Sequence, residues 1–484
     1  MQWPIVLSFS LVLLSFLLVG LSANFRARST TGDYLMAGRE VHPWLVGFAA
    51  AATNSSGFMF IGLIGVTVTD GLSAMWLMVG WIVGDYVAWL VVLRRLRERS
   101  GELQAQSVPG FLSAGMSQSF PIVRKGAALL TIVFLATYAA AQFTAGGKAL
   151  EALLGWPRAL GIGVGFGLLL LYCLGGGLRA SIWVNTAQSF LMISSVLLLL
   201  TVAVLRIGGP EALWSKLAAL DPKYVDWRPQ NLRFGFPAYM LSWIAAGAGA
   251  IGQPHLMTIA MTIQSSDQMY RARRVYFVWY WIFSAACILV GLCCRAWLNE
   301  ALVAGADPEM ALPQLASELL PGGLVGVMLG GVFAATLSTA DTQIICSSAA
   351  LTQDLIPSWG RSYGGAKLGM VAMSLAVVAT ALFGPASVFE LVVLSWSCLA
   401  ASLGPLLAVQ ALRGPLNNFI GAAMMICGLG TALVWRYQLE LSSSIYEVLP
   451  GMLAGFMVYG LLYPMAATAT EAVPAPCPSS ETEP

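Results

Sequence analysis

From Pro4 to Ser22 no charged residue interrupts the chain. A helix needs about 20 apolar residues to cross the hydrocarbon core of a bilayer. Runs of that kind recur along the sequence: an opening one at 4–22, then twelve numbered here as core spans, at 43–69, 72–93, 126–155, 157–178, 183–205, 235–263, 275–298, 321–350, 367–383, 387–411, 415–435 and 444–464. Lipid offers the backbone no hydrogen-bond partners, so helices are the structure open to runs of this length. The expected fold class is therefore an all-α polytopic membrane protein with thirteen transmembrane helices. Composition agrees: 58% of residues are hydrophobic and 10% charged, where a soluble domain carries about 25% charged residues.

The same counts exclude several function classes. A net charge of +2, with no Lys/Arg-rich run of the kind that tracks phosphates, argues against a nucleic-acid partner. Eight scattered cysteines read as small apolar residues, and two histidines, His42 and His255, cannot build a zinc or haem centre. Neither a Gly-x-Ser-x-Gly elbow nor a His-Glu-x-x-His pair is present, so an enzyme is not expected.

The opening span lacks a basic n-region and a clear Ala-x-Ala site, so it is expected to be retained rather than cleaved. Lys and Arg of short loops orient a membrane chain toward the cytoplasm. An outside N-terminus puts Arg26, Arg28, Arg39, Arg94, Arg95, Arg97, Arg99, Arg124, Lys125, Arg179, Arg271, Arg273, Arg274, Arg361, Lys367 and Arg413 inside, and the acidic loop around Asp307, Glu309 and Glu318 outside. The 206–234 loop is the basic exception. The expected placement is the inner membrane, N-terminus out and C-terminus cytoplasmic.

Two core spans look broken. The first carries Thr53-Asn54-Ser55-Ser56-Gly57 between apolar halves, and the sixth carries Gly247-Ala248-Gly249-Ala250-Ile251-Gly252-Gln253-Pro254. Proline removes a donor and clashes with the preceding turn, and a break inside the bilayer is tolerated only where it is buried in protein or lines a cavity. Either break alone could be an ordinary Gly- and Ser-rich packing helix. Together they open two five-span units at matching positions, the pattern of an inverted-repeat transporter with its site at the midplane.

Ala52-Thr53-Asn54-Ser55-Ser56-Gly57, Gly252-Gln253-Pro254-His255, Ala335-Thr336-Leu337-Ser338-Thr339, and Ser395-Trp396 with Ala400-Ala401-Ser402-Leu403-Gly404-Pro405 resemble the sodium/solute symporter family, and the sixth span looks closest to its sodium/proline branch. The resemblance covers about residues 1–465. It implies a LeuT-like 5+5 inverted repeat with discontinuous core helices one and six. The parts would be 1–42 (opening helix and cytoplasmic loop), 43–206 (first repeat), 207–234 (extracytoplasmic loop), 235–412 (second repeat), 413–465 (two C-terminal helices) and 466–484 (disordered cytoplasmic tail).

By that resemblance the coupling ion is sodium, held by the carbonyls of Ala52, Ser55 and Ala335 and the hydroxyls of Ser338 and Thr339. Sodium prefers oxygen, and ligands without full charge keep binding weak enough for release. Taken alone, the Ser338-Thr339 pair could equally be an interhelical hydrogen-bonding patch. A small-molecule substrate would lie near Asn54, Ser56, Phe58, Gly62, Tyr138, Ala246, Ala250, Gln253 and Pro254.

The chain departs from the branch at informative places. Asn54 stands where the branch carries aspartate, Phe58 where it carries tryptophan, and Ala246 and Ala250 where the family carries aromatic residues, which makes a roomier pocket. The family's Trp-x-Asp-x-x-Gln pattern in core span five is here Trp183-Val184-Asn185-Thr186-Ala187-Gln188, while Asp341 stands one turn beyond Ser338. Asn185 and Asp341 are thus a candidate second-ion or proton site, or Asp341 a stop on sodium's exit path, with Asp341 facing cytoplasmic water as the plainer alternative. Asp85 faces either the pocket or a wet vestibule, Lys148 and Glu151 read as a local pair, and Glu390 as interfacial. The expected function is sodium-coupled import of proline or another amino acid by alternating access. A carboxylate or sugar as solute, and a proton-coupled carrier, stay open; a membrane sensor is disfavoured by the short tail.

Overall fold

The computed structural model describes residues 3–115, 119–230, 232–298, 308–385 and 387–471. Every regular element among them is helical, and pairing of strands is limited to two isolated bridges, Val41 with Ile263 and Ala114 with Ser119. Nine helical stretches among the described residues are long and apolar enough to cross a membrane. Two of them are long because they hold internal breaks. Pro43–Glu102 turns at Gly71 (φ 69°), and Arg158–Ile207 at Gly177 (φ 53°, ψ −138°). At Gly177 an added Cβ would lie 2.3 Å from the Tyr34 carbonyl, so both the backbone angle and the space require glycine. The broken sixth core span and the shorter apolar Val448–Pro464 lie outside the nine.

The opening helix, Trp3–Asn24, leans on the molecule's side. Leu7, Leu11, Leu14 and Leu18 face outward, while Gly20 lies against Tyr172, and Gly326 and Gly330 of core span eight against Ile5 and Val12. Core spans eight and ten, Gly322–Ala349 and Val388–Ala411, are buried nearly all round and form the centre. That explains their weak amphipathic periodicity, since a helix surrounded by protein has no polar face to show.

The two broken spans are broken differently. Pro43–Gly57 is helical until Ser56, which sits at φ 39° and ψ 178°; a widened π turn, Phe58–Leu63, follows, then Ile64–Asp70. In the sixth span Gly235–Ala248 tightens into a turn at Gly249–Gly252, Gln253 is extended (φ −95°, ψ 102°), and Pro254 restarts the helix Pro254–Met261. Proline fits a first helical position, where its missing N–H has no helical acceptor to lose. Core spans two and six touch backbone to backbone. A Cβ on Gly84 would meet the Ile244 carbonyl at 1.8 Å, and one on Gly247 the Trp81 carbonyl at 1.8 Å.

Arg179 pairs with Asp33 at 2.5 Å, tying the short helix Thr31–Met36 to the turn at Gly177. Arg39 donates to the carbonyls of Ser100 and Ala105; burial and then the neighbouring Arg97 lower its guanidinium to about 10.

Several expectations meet a difference here. The last helix runs through Glu471, into the stretch expected as tail, and residues 472–484 lie outside the described residues, as does Asp307 of the acidic loop. Glu318 is on the helix Ala311–Leu319 and accepts from the Trp297 indole. Of the described cysteines, Cys427 is exposed and the other six are buried.

Candidate functional site

The break in core span one frees carbonyls that a regular helix would occupy. In an unbroken helix Gly57 N–H would bond the Thr53 carbonyl; it bonds Gln142 Oε1 instead, at 2.7 Å. Core span eight fills the gap. Ser338 Oγ donates to the Ala52 carbonyl (3.1 Å) and Thr339 Oγ1 to the Thr53 carbonyl (2.8 Å), and both hydroxyls also reach the Ala335 carbonyl, at 3.0 and 3.2 Å. Ala52, Ala335, Ser338 and Thr339 are thereby gathered in one fully buried cluster. Ser55 joins it less directly: its carbonyl takes the Phe58 N–H, and its buried Oγ has no partner. The donor set is several oxygens without formal charge, the chemistry a monovalent hard cation requires.

The residues expected around a solute fall into four groups. Ser56 Oγ accepts from Tyr138 (3.4 Å) and from Phe58 N–H (3.1 Å), and the Tyr138 ring meets His255 edge-on at 5.8 Å. Ala246, Ala250, Gln253 and Pro254 line the other break: Gln253 Nε2 donates to the Trp396 carbonyl at 3.0 Å, the Trp396 indole to the Ala246 carbonyl at 3.0 Å, and Gln253 Oε1 is left unpartnered. Phe58 and Gly62 belong to neither. Phe58 stacks on Trp81 (6.2 Å) and Phe389 (5.6 Å), and a Cβ on Gly62 would touch both phenylalanine rings. Asn54 turns away from Ser56 and Tyr138: its amide donates to the Tyr276 hydroxyl and, at 3.5 Å, to Asp85 Oδ2.

Above the break the aromatic stack continues from Trp81 to Trp243 (6.2 Å) and on to Tyr446 (5.2 Å). On its far side lies a cavity of about 440 Å³ lined by Asp70, Ser73, Lys223, Arg228, Trp243 and Phe389 among others. The stack thus separates a charged, open vestibule from the buried polar groups of the two breaks.

Asn185 and Asp341 do meet. The Asn185 amide donates to Asp341 Oδ1 (3.2 Å) and also reaches the Ser338 carbonyl (3.0 Å) and Thr53 Oγ1 (3.2 Å), while Thr342 Oγ1 and Tyr172 OH donate to Asp341 at 3.0 and 2.9 Å. Asp341 is 0% exposed, which corrects the reading that it faces cytoplasmic water. Asp85, at 1% exposed, is in no wet vestibule; Glu390 is exposed at the start of its helix, as expected.

Sequence reasoning missed Gln142, Trp81 and Tyr276, and quoted Trp396 without assigning it a contact. Trp81 and Asp85 are four apart and so share a helix face, a signal that was available. Gln142 and Tyr276 follow no spacing rule, because their partners are on other helices.

A family model described as the sodium:solute symporter family matches residues 34–417. The chain is 27% identical over 471 residues to the osmoregulated proline transporter OpuE of Bacillus subtilis (strain 168), covering 95% of each chain. It is 28% identical to the high-affinity proline transporter PutP of the same organism, over 91% of this chain and 94% of that one. It is 26% identical to the sodium/proline symporter of Escherichia coli (strain K12), over 95% and 93%. Among solved structures, a substrate-bound, outward-open Na+-coupled sialic acid symporter superposes with a TM-score of 0.81 at 17% identity, over 96% of this chain and 97% of that one, which shows a shared fold.

Proposed function

The chain belongs to the sodium:solute symporter family, and on that premise we propose that it imports proline or another amino acid by alternating access. It is a multi-pass membrane protein, a sodium-coupled symporter whose coupling ion is sodium. The proline reading rests on the relatives, each of them a proline transporter by name. The observation that carries the ion site is the pair of bonds from Ser338 and Thr339 to the carbonyls of Ala52 and Thr53 at the break.

In this reading sodium enters from the vestibule and binds among Ala52, Ser55, Ala335, Ser338 and Thr339, taking the break's carbonyls as ligands and fixing core span one against core span eight. The solute lies between the breaks, against Ser56, Tyr138, Ala246, Ala250, Gln253 and Pro254, under a lid of Phe58 and the ring beside Gly62. Asn54 orients core span one from behind. Core spans one, two, six and seven then rock against the rest. Each ligand raises the other's affinity by the same factor, as coupling requires. Asp341, held by Asn185 one turn past Ser338, is the next anionic stop on sodium's inward path. The topology is thirteen helices in a 5+5 inverted repeat (43–206 and 235–412) with the N-terminus outside and the C-terminus cytoplasmic, supported by the paired breaks and the basic loops.

The driving force suffices. One charge crossing 100 mV releases about 2.3 kcal/mol and a tenfold sodium gradient roughly 1.4 kcal/mol, enough for accumulation on the order of several-hundred-fold. The test is uptake of labelled proline into proteoliposomes under an inward sodium gradient. Accumulation is expected in wild type and a loss of more than about tenfold in Ser338→Ala. Sodium-driven uptake of a carboxylate or sugar but not proline would replace the solute; uptake indifferent to sodium would overturn the ion site.

A further inference from the structure

Asp85 has no assigned task. It lies in mid-helix on Met75–Ala88, 1% exposed, in a span that crosses the bilayer. A charged carboxylate there carries a penalty of several kcal/mol unless something neutralises it. No cationic side chain pairs with it among the described residues. Its hydrogen bonds are one-sided: the Tyr276 hydroxyl (2.5 Å) and the Asn54 amide (3.5 Å) both donate to Oδ2, while Oδ1 has no partner. Asn54, itself 6% exposed, shows the matching defect, because its Oδ1 is also buried without a partner.

The two orphaned oxygens cannot satisfy each other, since both only accept. A proton on Asp85 Oδ1 resolves both at once. It removes the buried charge and turns Asp85 Oδ1 into a donor, the kind of partner that Asn54 Oδ1 lacks. A sodium ion fits less well, since the two bare oxygens are the lone pairs on offer and the Oδ2 side is filled by the hydrogens of Tyr276 and Asn54. We propose that Asp85, with Asn54 and Tyr276, is a proton-binding site within core spans one, two and seven, distinct from the sodium cluster. A proton taken from the outer solution occupies Asp85 Oδ1 when the solute is carried, and leaves to the inner solution as the free carboxylate reforms.

The surroundings leave this carboxyl to titrate against few neighbours. Tyr276 and Tyr280 face it from core span seven, and Arg273 of that span lies over the Tyr86 ring. Core span six brings the Gly247 backbone against Asp85 and has no charged side chain between Gly235 and Gly252. Core span one contributes Asn54 and no charge between Pro43 and Gly57.

The proposal rests on the symporter reading only in its transport arm, so the experiment has two. In the first, infrared difference spectra are taken across a pH titration of the full-length protein in lipid, with no solute present. Wild type should show a carboxylic-acid carbonyl band at neutral pH that vanishes at alkaline pH and is missing in Asp85→Asn. Tyr276→Phe removes a donor that favours the ionised form, so its band should persist to about one pH unit higher. In the second, a pH dye inside proteoliposomes reports proton entry during sodium-driven proline uptake, expected in wild type and lost in Asp85→Asn together with the pH dependence of the remaining uptake. Identical spectra for wild type and Asp85→Asn, or an unmoved midpoint in Tyr276→Phe, would overturn the site. Solute uptake without proton entry would overturn its use in transport. Expected spectra without proline uptake would uphold the site and remove the solute instead.

Discussion

Asp341 and Asp85 are both buried at the membrane's depth, each next to an asparagine and a tyrosine, yet they are held in opposite ways. Asp341 accepts on both oxygens, from Tyr172 on one and from Asn185 and Thr342 on the other. Asp85 accepts on Oδ2 alone. The first cluster ties together core spans four, five and eight next to the sodium cluster; the second joins spans one, two and seven. A carboxylate with both its oxygens engaged is an anchor, because any change of state breaks bonds. A carboxylate with one bare oxygen has a change of state that makes bonds. The difference is what separates a fixed stop beside the ion from a group that can load and unload.

The hardest blow to that contrast would come from Asp341→Leu. Removing the acceptor strands the Tyr172 hydroxyl, at about 1–3 kcal/mol, and takes one bond each, at about 0.5–1.5 kcal/mol, from Asn185 and Thr342, which keep the Ser338 carbonyl, so a loss of roughly 2–6 kcal/mol in stability is expected. Thermal unfolding of the purified protein in detergent measures it, and a variant as stable as wild type would mean that Asp341 anchors nothing. A gentler change asks where the charge must be. Asp341→Asn should raise the sodium concentration for half-maximal uptake by about tenfold, an effect near 1.4 kcal/mol, and lower the sodium Hill coefficient. Adding Asn185→Asp to it returns a carboxylate to the same cluster and should restore most of the affinity. No change in either variant would detach Asp341 from sodium altogether.

How much of this could be read beforehand follows from the kind of signal each feature leaves. The sixth-span break was legible because Gly252-Gln253-Pro254 combines a free glycine with a proline that cannot continue a helix. In the first span the polar run marked the region, but the turning residue is Ser56 at positive φ. No propensity assigns that conformation to serine; it is imposed by Gln142 taking the Gly57 N–H and by span eight taking the carbonyls at the break. The Ser338–Ala52 contact was expected from resemblance alone, since 286 residues separate the partners. Asn54 was expected to face the solute, and its turn toward Asp85 and Tyr276 depends on where spans two and seven pack. The backbone contact of Gly84 with Ile244 that brings span two so close is visible only in three dimensions.

The finest test compares two deleted hydroxyls. Thr342→Val deletes one of the two donors to Asp341 Oδ1 and leaves Tyr172 on one oxygen and Asn185 on the other. A single hydrogen bond of this kind contributes about 1 kcal/mol net, so unfolding should come only slightly earlier and the sodium half-saturation should move less than about threefold. The dependence of uptake on pH should stay where it is in wild type, because the cluster gains no capacity for a proton. Tyr276→Phe deletes a bond of the same chemical kind, at a similar small stability cost, but it should shift the pH dependence because the remaining carboxylate is then easier to protonate. Uptake measured across pH for the two variants side by side decides the matter. Equal shifts would show that both carboxylates titrate and that bare oxygen is no guide; a shift in Tyr276→Phe alone would show that the unfilled acceptor is what distinguishes a proton site from an anchor.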